Sequence, residues 1–118
     1  MAYRNLEISN RGAVRSITVS RPDKLNALNR DTLNELTLAF AQAAQDDAVR
    51  VVILTGAGEK AFVAGADIAE MHGYTPTQAQ ALSRTGQHLM SAIERRGKPV
   101  IARVQGFALG GGMELAMA

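Results

Sequence analysis

The chain has 118 residues, 47% of them hydrophobic, with a formal net charge of +2 and neither cysteine nor tryptophan. That length is one domain or part of one. The missing cysteine excludes disulfides, thiolate nucleophiles and cysteine-ligated metals and fits a reducing, cytoplasmic compartment.

Acidic and basic residues are interspersed. The one basic cluster, Arg95, Arg96 and Lys98, reads as a helix end, because cations are favoured there, rather than as a nucleic-acid surface. No apolar run reaches the roughly 20 residues of a membrane span. Arg4 and Glu7 stand where a signal peptide needs an apolar stretch.

In chain order, Tyr3 to Ser9 alternates as a short strand, Asn10-Arg11-Gly12 signals a turn, and Ala13 to Ser20 alternates again, so the two runs predict a hairpin. Arg21-Pro22-Asp23 breaks the second strand, and Lys24 to Leu28 is a loop. Asn29 can cap the next helix, with Asp31 in its first turn. Leu33, Leu36, Phe40, Ala43 and Ala44 form its apolar face, and the helix ends near Asp46-Asp47. Val51 to Leu54 is a continuous apolar run, as in a strand covered on both faces. Gly56-Ala57-Gly58 ends it.

Ala61 to Val63 is a short extended piece. Ala64 to Ile68 is a tight turn of small residues, opening a helical turn through Met71. Thr75-Pro76-Thr77-Gln78 starts a helix: a Thr cap, Pro at the first helical position, Gln three after the cap. Ala79, Leu82, Leu89, Met90 and Ile93 supply its buried stripe, and Gly97 and Pro99 close it. Val100 to Val104 is the last strand, followed by a glycine run that opens a final helix. Strands separated by helices predict an α/β sheet with helices packed on it.

Three stretches could carry chemistry. Gly56-Ala57-Gly58-Glu59-Lys60-Ala61 matches the loose dinucleotide fingerprint, but Ala61 to Ala66 reads poorly as the helix that motif must open, so a turn closing a strand is the better reading. Ala64 to Ile68 lets a ligand approach the backbone closely, and is equally a tight packing turn. In Gly110-Gly111-Gly112-Met113-Glu114, a helix starting at the glycines would present free N–H groups, with Glu114 facing the same pocket as Gly111. A carboxylate there also serves simply to stabilise a helix N-terminus. His72 and His88 are isolated, so no metal site is expected, and no Ser/His/Asp triad is discernible. Arg21, Lys24 and Lys60 flank the glycine-rich turns. They could meet phosphates or be ordinary surface charges.

Taken together, three segments resemble the crotonase (enoyl-CoA hydratase/isomerase) family. They are Arg21 to Leu28, Lys60 to Ile68, and Pro99 to Ala102 continuing through Gly106 to Ala116. Their order and rough spacing also match. The resemblance covers nearly all of the chain and about the N-terminal half of the family's domain. It implies an α/β spiral of β-β-α turns, truncated, with 1–118 the N-terminal part of an acyl-CoA-binding domain. Trimers or dimers of trimers are implied as well.

It further implies binding of an acyl-CoA thioester and stabilisation of its enolate by two backbone N–H groups, which by motif match belong to Ala66 and Gly111. Glu114 matches a catalytic glutamate that activates water or moves a proton at the β-carbon. Lys24, Ala27, Ala64, Gly65, Asp67 and Ile68 match segments that hold coenzyme A. No separate cofactor is implied, since coenzyme A is part of the substrate.

The implied reaction is hydration of a trans-2-enoyl-CoA. Isomerisation or another reaction of the family stays open, as does an impaired chain that only binds acyl-CoA or self-associates. The last alternative arises because the family's second glutamate would lie beyond Ala118. The apolar end Leu115 to Ala118 also lacks the polar close of a natural domain, so we expect a chain cut short.

Overall fold

The computed structural model describes residues 3–95 and 97–118, so Arg96 of the basic cluster lies outside the described residues. Strands β1 (Leu6–Arg11) and β2 (Val14–Val19) form the hairpin. Its turn is Gly12-Ala13, and Arg11 pairs with Val14, so β1 begins and ends later than its alternation alone indicates. Helix α1 spans Arg30–Gln45, and Asn29 caps it by accepting from the Thr32 N–H at 2.9 Å. Leu33, Leu36, Phe40 and Ala43 are buried as expected, with Ala39 and Thr32 in addition. Each large side chain among them contributes on the order of 2 kcal/mol by leaving water.

Strand β3 (Val51–Gly56) is followed by β4 (Ala61–Val63), the single helical turn α2 (Ile68–Met71) and α3 (Pro76–Arg95). The start of α3 is a reciprocal capping box. The Gln78 N–H donates to Thr75 Oγ1 at 3.2 Å, and the Thr75 N–H donates to Gln78 Oε1 at 2.9 Å. Strand β5 is Val100–Arg103, β6 is Phe107–Ala108 and α4 is Gly111–Met117.

The main sheet has the order β1-β2-β3-β5. The hairpin is antiparallel, and β2–β3 and β3–β5 are parallel. Helices α1 and α3 connect the parallel strands and pack together over a core of Ile17, Val19, Phe40, Leu54, Leu89 and Ile93. Strand β3 is not covered on both faces. Val52 and Leu54 are buried, while Val51, Ile53 and Thr55 are half-exposed.

The second sheet, β4 with β6 in parallel, is not legible in the sequence. Two residues of strand are too few for a period. Here the pairing is set by the close packing of α4 on β4.

Arg95 stands in the last turn of α3, as expected of a helix end, whereas Lys98 serves the end of another helix. The Lys98 ammonium donates to the Ala43 and Asp46 carbonyls, both at 2.7 Å, at the C-terminus of α1. Those carbonyls have no partner within their helix. Leaving Ile101, Phe107, Leu109, Met113 and Met117 all about half exposed or more, the fold carries an apolar surface on its last third.

Candidate active site

A cavity of about 280 Å³ opens between α1, α2, α3 and α4. Ala66, Gly111 and Glu114 all line it, so three residues separated in sequence by the whole of α3 share one hollow. Leu28, Leu33, Met71, Ala79, Leu82 and Met90 give it apolar walls.

The two backbone positions are set by neighbours. Leu28 forms an isolated parallel bridge with Ala66: the Leu28 N–H donates to Gly65 O at 2.7 Å and the Asp67 N–H donates to Leu28 O at 2.8 Å. This pattern uses the polar groups on either side of Ala66 and leaves its own N–H without a backbone acceptor among the described residues. Gly65 has φ +116°, and a Cβ on it would lie 3.1 Å from the Leu109 carbonyl oxygen, so a larger residue is both strained and crowded there.

Gly111 is the first residue of α4, so its N–H has no acceptor within the helix. A Cβ on Gly111 would stand 3.9 Å from the Ala66 nitrogen and 4.0 Å from the Gly65 α-carbon. The two free amides therefore adjoin across the cavity. Ala66 is exposed and Gly111 half-buried, so both N–H groups are open to a ligand, and an oxygen placed between them could accept from both.

Glu114 stands in the first turn of α4, with its N–H donating to Gly110 O at 3.1 Å. Its carboxylate is exposed and has no ion-pair partner among the described residues. Among the described residues that line the cavity it is also the one ionisable side chain.

The remaining residues singled out by resemblance surround this hollow rather than line it. Lys24 and Ile68 are exposed, the latter at 81%. The Ala64 N–H donates to Leu25 O at 3.1 Å, and the Ala27 carbonyl accepts from Arg21 Nη1 at 2.6 Å. Asp67 caps α2 by accepting from the Glu70 N–H at 3.2 Å, and pairs with Arg21 at 3.0 Å. Burial pushes the Asp67 carboxyl up. The Arg21 hydrogen bond, the Glu70 N–H and the charges of Arg21 and Lys24 outweigh that and hold it below its ordinary value.

Arg21 is thus committed inside the protein and does not stand as a free phosphate ligand. Lys60 is exposed, beside a second hollow of about 240 Å³ with Pro22, Asn26 and Gly58. Among the described residues no group of three His, Asp or Glu side chains could hold a metal ion. No described helix is long and apolar enough to cross a membrane.

Two features escaped the sequence reading. One is the α3 wall: Ser83, Gly86 and Gln87 line the cavity beside Ala79, Leu82 and Met90. The small and polar residues at 79, 83 and 86 keep a helical spacing that could have marked a second face. The other is Asn26, 1% exposed with φ 58°. Its Oδ1 accepts from the Arg21 N–H at 2.9 Å, and its Nδ2 donates to the Ala57 and Ala61 carbonyls, both at 3.0 Å. It joins the ends of β2, β3 and β4 beneath the loop.

Known proteins are similar to this chain in sequence and in fold. The crotonyl-CoA hydratase of Syntrophomonas wolfei is 46% identical over 117 residues, covering 99% of this chain and 45% of the relative. The short-chain-enoyl-CoA hydratase of Clostridium acetobutylicum is also 46% identical, with the same coverage. The crystal structure of an enoyl-CoA hydratase from Bacillus anthracis superposes with a TM-score of 0.94 at 38% identity, over 97% of this chain and 45% of that one. The chain therefore spans less than half the length of these relatives, and the superposition gives it the crotonase fold. The sequence model of the enoyl-CoA hydratase/isomerase family matches residues 9–118, and the chain belongs to that family.

Proposed function

We propose that this chain supplies the oxyanion site and one acid–base carboxylate for hydration of a trans-2-enoyl-CoA thioester. The observation that carries the reading is the pair of acceptor-free N–H groups, Ala66 and Gly111, in one cavity with Glu114. The hydratase names of its relatives support the reaction.

In this mechanism the thioester oxygen lies between the two amides. Glu114 removes a proton from water, and the oxygen of that water bonds to C3. The C2=C3 electrons shift toward the carbonyl, and the enolate oxygen takes the negative charge. Each backbone donor stabilises that charge by about 3 kcal/mol, or 10²–10³ in rate. The proton held by Glu114 is available for C2, which closes the addition with the elements of water fully used.

Lys24 and Ile68 lie exposed near the Ala64 to Asp67 turn and would meet the coenzyme A handle. That handle orients the acyl group. Asp67 and Ala27 serve by holding the loop, since their polar groups are already occupied. The exposed Phe107, Leu109, Met113 and Met117 favour self-association, as in a homo-oligomer.

A second reading rests on Glu114 being the single ionisable side chain among the described residues that line the cavity: the 118-residue chain binds acyl-CoA and does not turn it over. Loss of the conjugated thioester's ultraviolet absorbance, followed for the wild type and Glu114→Gln, separates the two. Hydration that falls by about 10²–10⁴ in Glu114→Gln supports the first. Equal turnover in both proteins removes Glu114 from the mechanism. Binding by calorimetry without turnover establishes the second.

A further inference from the structure

Ala66 has only a methyl group, so nothing of its own fixes the direction of its N–H. Its two neighbours are tied to Leu28 through Gly65 O and the Asp67 N–H. The first of those bonds fixes the planar Gly65–Ala66 peptide, and with it the Ala66 N–H, relative to Leu28. The aim of that N–H therefore depends on how the two segments of the bridge are held together. One further link spans the same point. Arg21 Nη1 donates to Ala27 O at 2.6 Å while its Nη2 donates to Asp67 Oδ2 at 3.0 Å. A single planar guanidinium thus grips both segments of the Leu28–Ala66 bridge, one residue before Leu28 and one residue after Ala66.

The grip is tight at both ends. The Arg21 and Asp67 side chains are only 13% and 11% exposed. The second carboxylate oxygen, Oδ1, accepts from the Glu70 N–H, so Asp67 is held from two directions. The Arg21 N–H is itself anchored by buried Asn26.

A buried ion pair is poor evidence of stability, since desolvation offsets much of the attraction, and its better-attested use is to specify geometry. The geometry at stake here is that of a hydrogen-bond donor, whose strength falls steeply with misalignment.

We propose that Arg21 and Asp67 are positioning residues that aim the Ala66 N–H into the cavity. The proposal rests on the reading of Ala66 and Gly111 as donors to a thioester oxygen. It assigns the pair no contact with the substrate.

The test uses the 118-residue chain and butanoyl-CoA labelled with ¹³C at its thioester carbonyl. That thioester is saturated and cannot be hydrated. Infrared spectroscopy reads the carbonyl band, which moves to lower frequency when the oxygen accepts hydrogen bonds. The wild type is expected to bind and shift the band. Gly111→Pro removes the other donor and leaves the pair intact, so it checks the donor reading separately. An unchanged shift in Gly111→Pro, or no binding by the wild type, overturns that reading and this proposal with it.

Where Gly111→Pro does lose part of the shift, Arg21→Lys and Asp67→Asn decide the positioning role. Lysine keeps the charge but cannot donate in parallel to Ala27 O and Asp67. Asparagine keeps a capping oxygen without the charge. Each variant is expected to bind butanoyl-CoA within about threefold of the wild-type Kd, under 1 kcal/mol, while losing the part of the shift that Ala66 supplies. A full wild-type shift in both variants overturns the proposal. So does a tenfold or greater loss of affinity with the shift intact, which would place the pair in coenzyme A binding. Circular dichroism checks folding. If one variant unfolds the other decides, and if both unfold the pair serves the fold and the proposal is wrong.

Discussion

Gly112 is buried against the main-chain carbonyl of Val63 so closely that a Cβ on it would overlap the Val63 oxygen. The same oxygen accepts from the Leu109 N–H at 3.3 Å, so it cannot swing away without loosening β6 from β4. This contact seats the start of α4 and with it the Gly111 amide.

Gly112→Ala is therefore expected to destabilise the protein by about 1–3 kcal/mol, the usual cost of overpacking. Gly111→Ala is expected to be close to neutral for stability, because its new Cβ would find its nearest atoms at 3.7–4.0 Å, an ordinary contact. Urea unfolding of the two variants beside the wild type measures the difference. Equal midpoints would refute the crowding at Gly112.

Removing the N–H at Gly111 is a different matter from adding a methyl group. Proline is favoured at the first position of a helix, and Gly111 is that position in α4. On the oxyanion reading, Gly111→Pro lowers the rate of enoyl-CoA hydration by about 10²–10³, with Gly111→Ala retaining far more activity. Steady-state assays of the two variants check this. Similar losses in both would point to shape rather than to the donor.

Asn26 supports the loop from below with three hydrogen bonds from a fully buried amide. Its left-handed backbone also suits asparagine better than most residues. Asn26→Ala leaves the Arg21 N–H and two carbonyls without their partner, at about 1–3 kcal/mol for each buried group. We expect a total loss of at least about 3 kcal/mol, seen as a large fall in thermal midpoint. Asn26→Asp should lose less, since it keeps an acceptor for the Arg21 N–H. A fall of less than a degree in Asn26→Ala would contradict the structure.

Asp67 gives the pH dependence a sign. Its carboxyl titrates below the ordinary value in the folded chain, with the Arg21 hydrogen bond and charge overcoming the effect of burial. The unfolded chain then binds the proton more readily. Stability from this group is complete above the ordinary carboxyl pKa of about 3.9 and is lost as pH falls through the lower, folded value. The stability gap between wild type and Asp67→Asn should hold constant from pH 7 to 5 and narrow below about pH 4. Thermal melts across that range measure it. A gap that widens on acidification would reverse the sign.

Much of the fold was legible because its signals are local. The Asn29 cap of α1 and the Thr75–Gln78 box of α3 bind N–H groups three residues away. The periodicity of Leu33, Leu36, Phe40 and Ala43 needs no knowledge of what they pack on. Strand β6 and the half-covered face of β3 were not legible in this way. A two-residue strand carries no period, and the exposure of Ile53 depends on what lies beyond the sheet.

The site divides along the same line. In the sequence, bare backbone beside a carboxylate was legible at Gly110 to Glu114, and it was the family resemblance that singled out Ala66 and Gly111 with Glu114. Folding decided that the two amides adjoin, because the bridge at Leu28 spends the polar groups around Ala66 and the Val63 carbonyl seats Gly112. It also turned Arg21 from a free cation into the partner of Asp67, 46 residues away. Helix caps and apolar periods are written within a few residues. Which amides stay without an acceptor is settled only when distant segments have used up every other one.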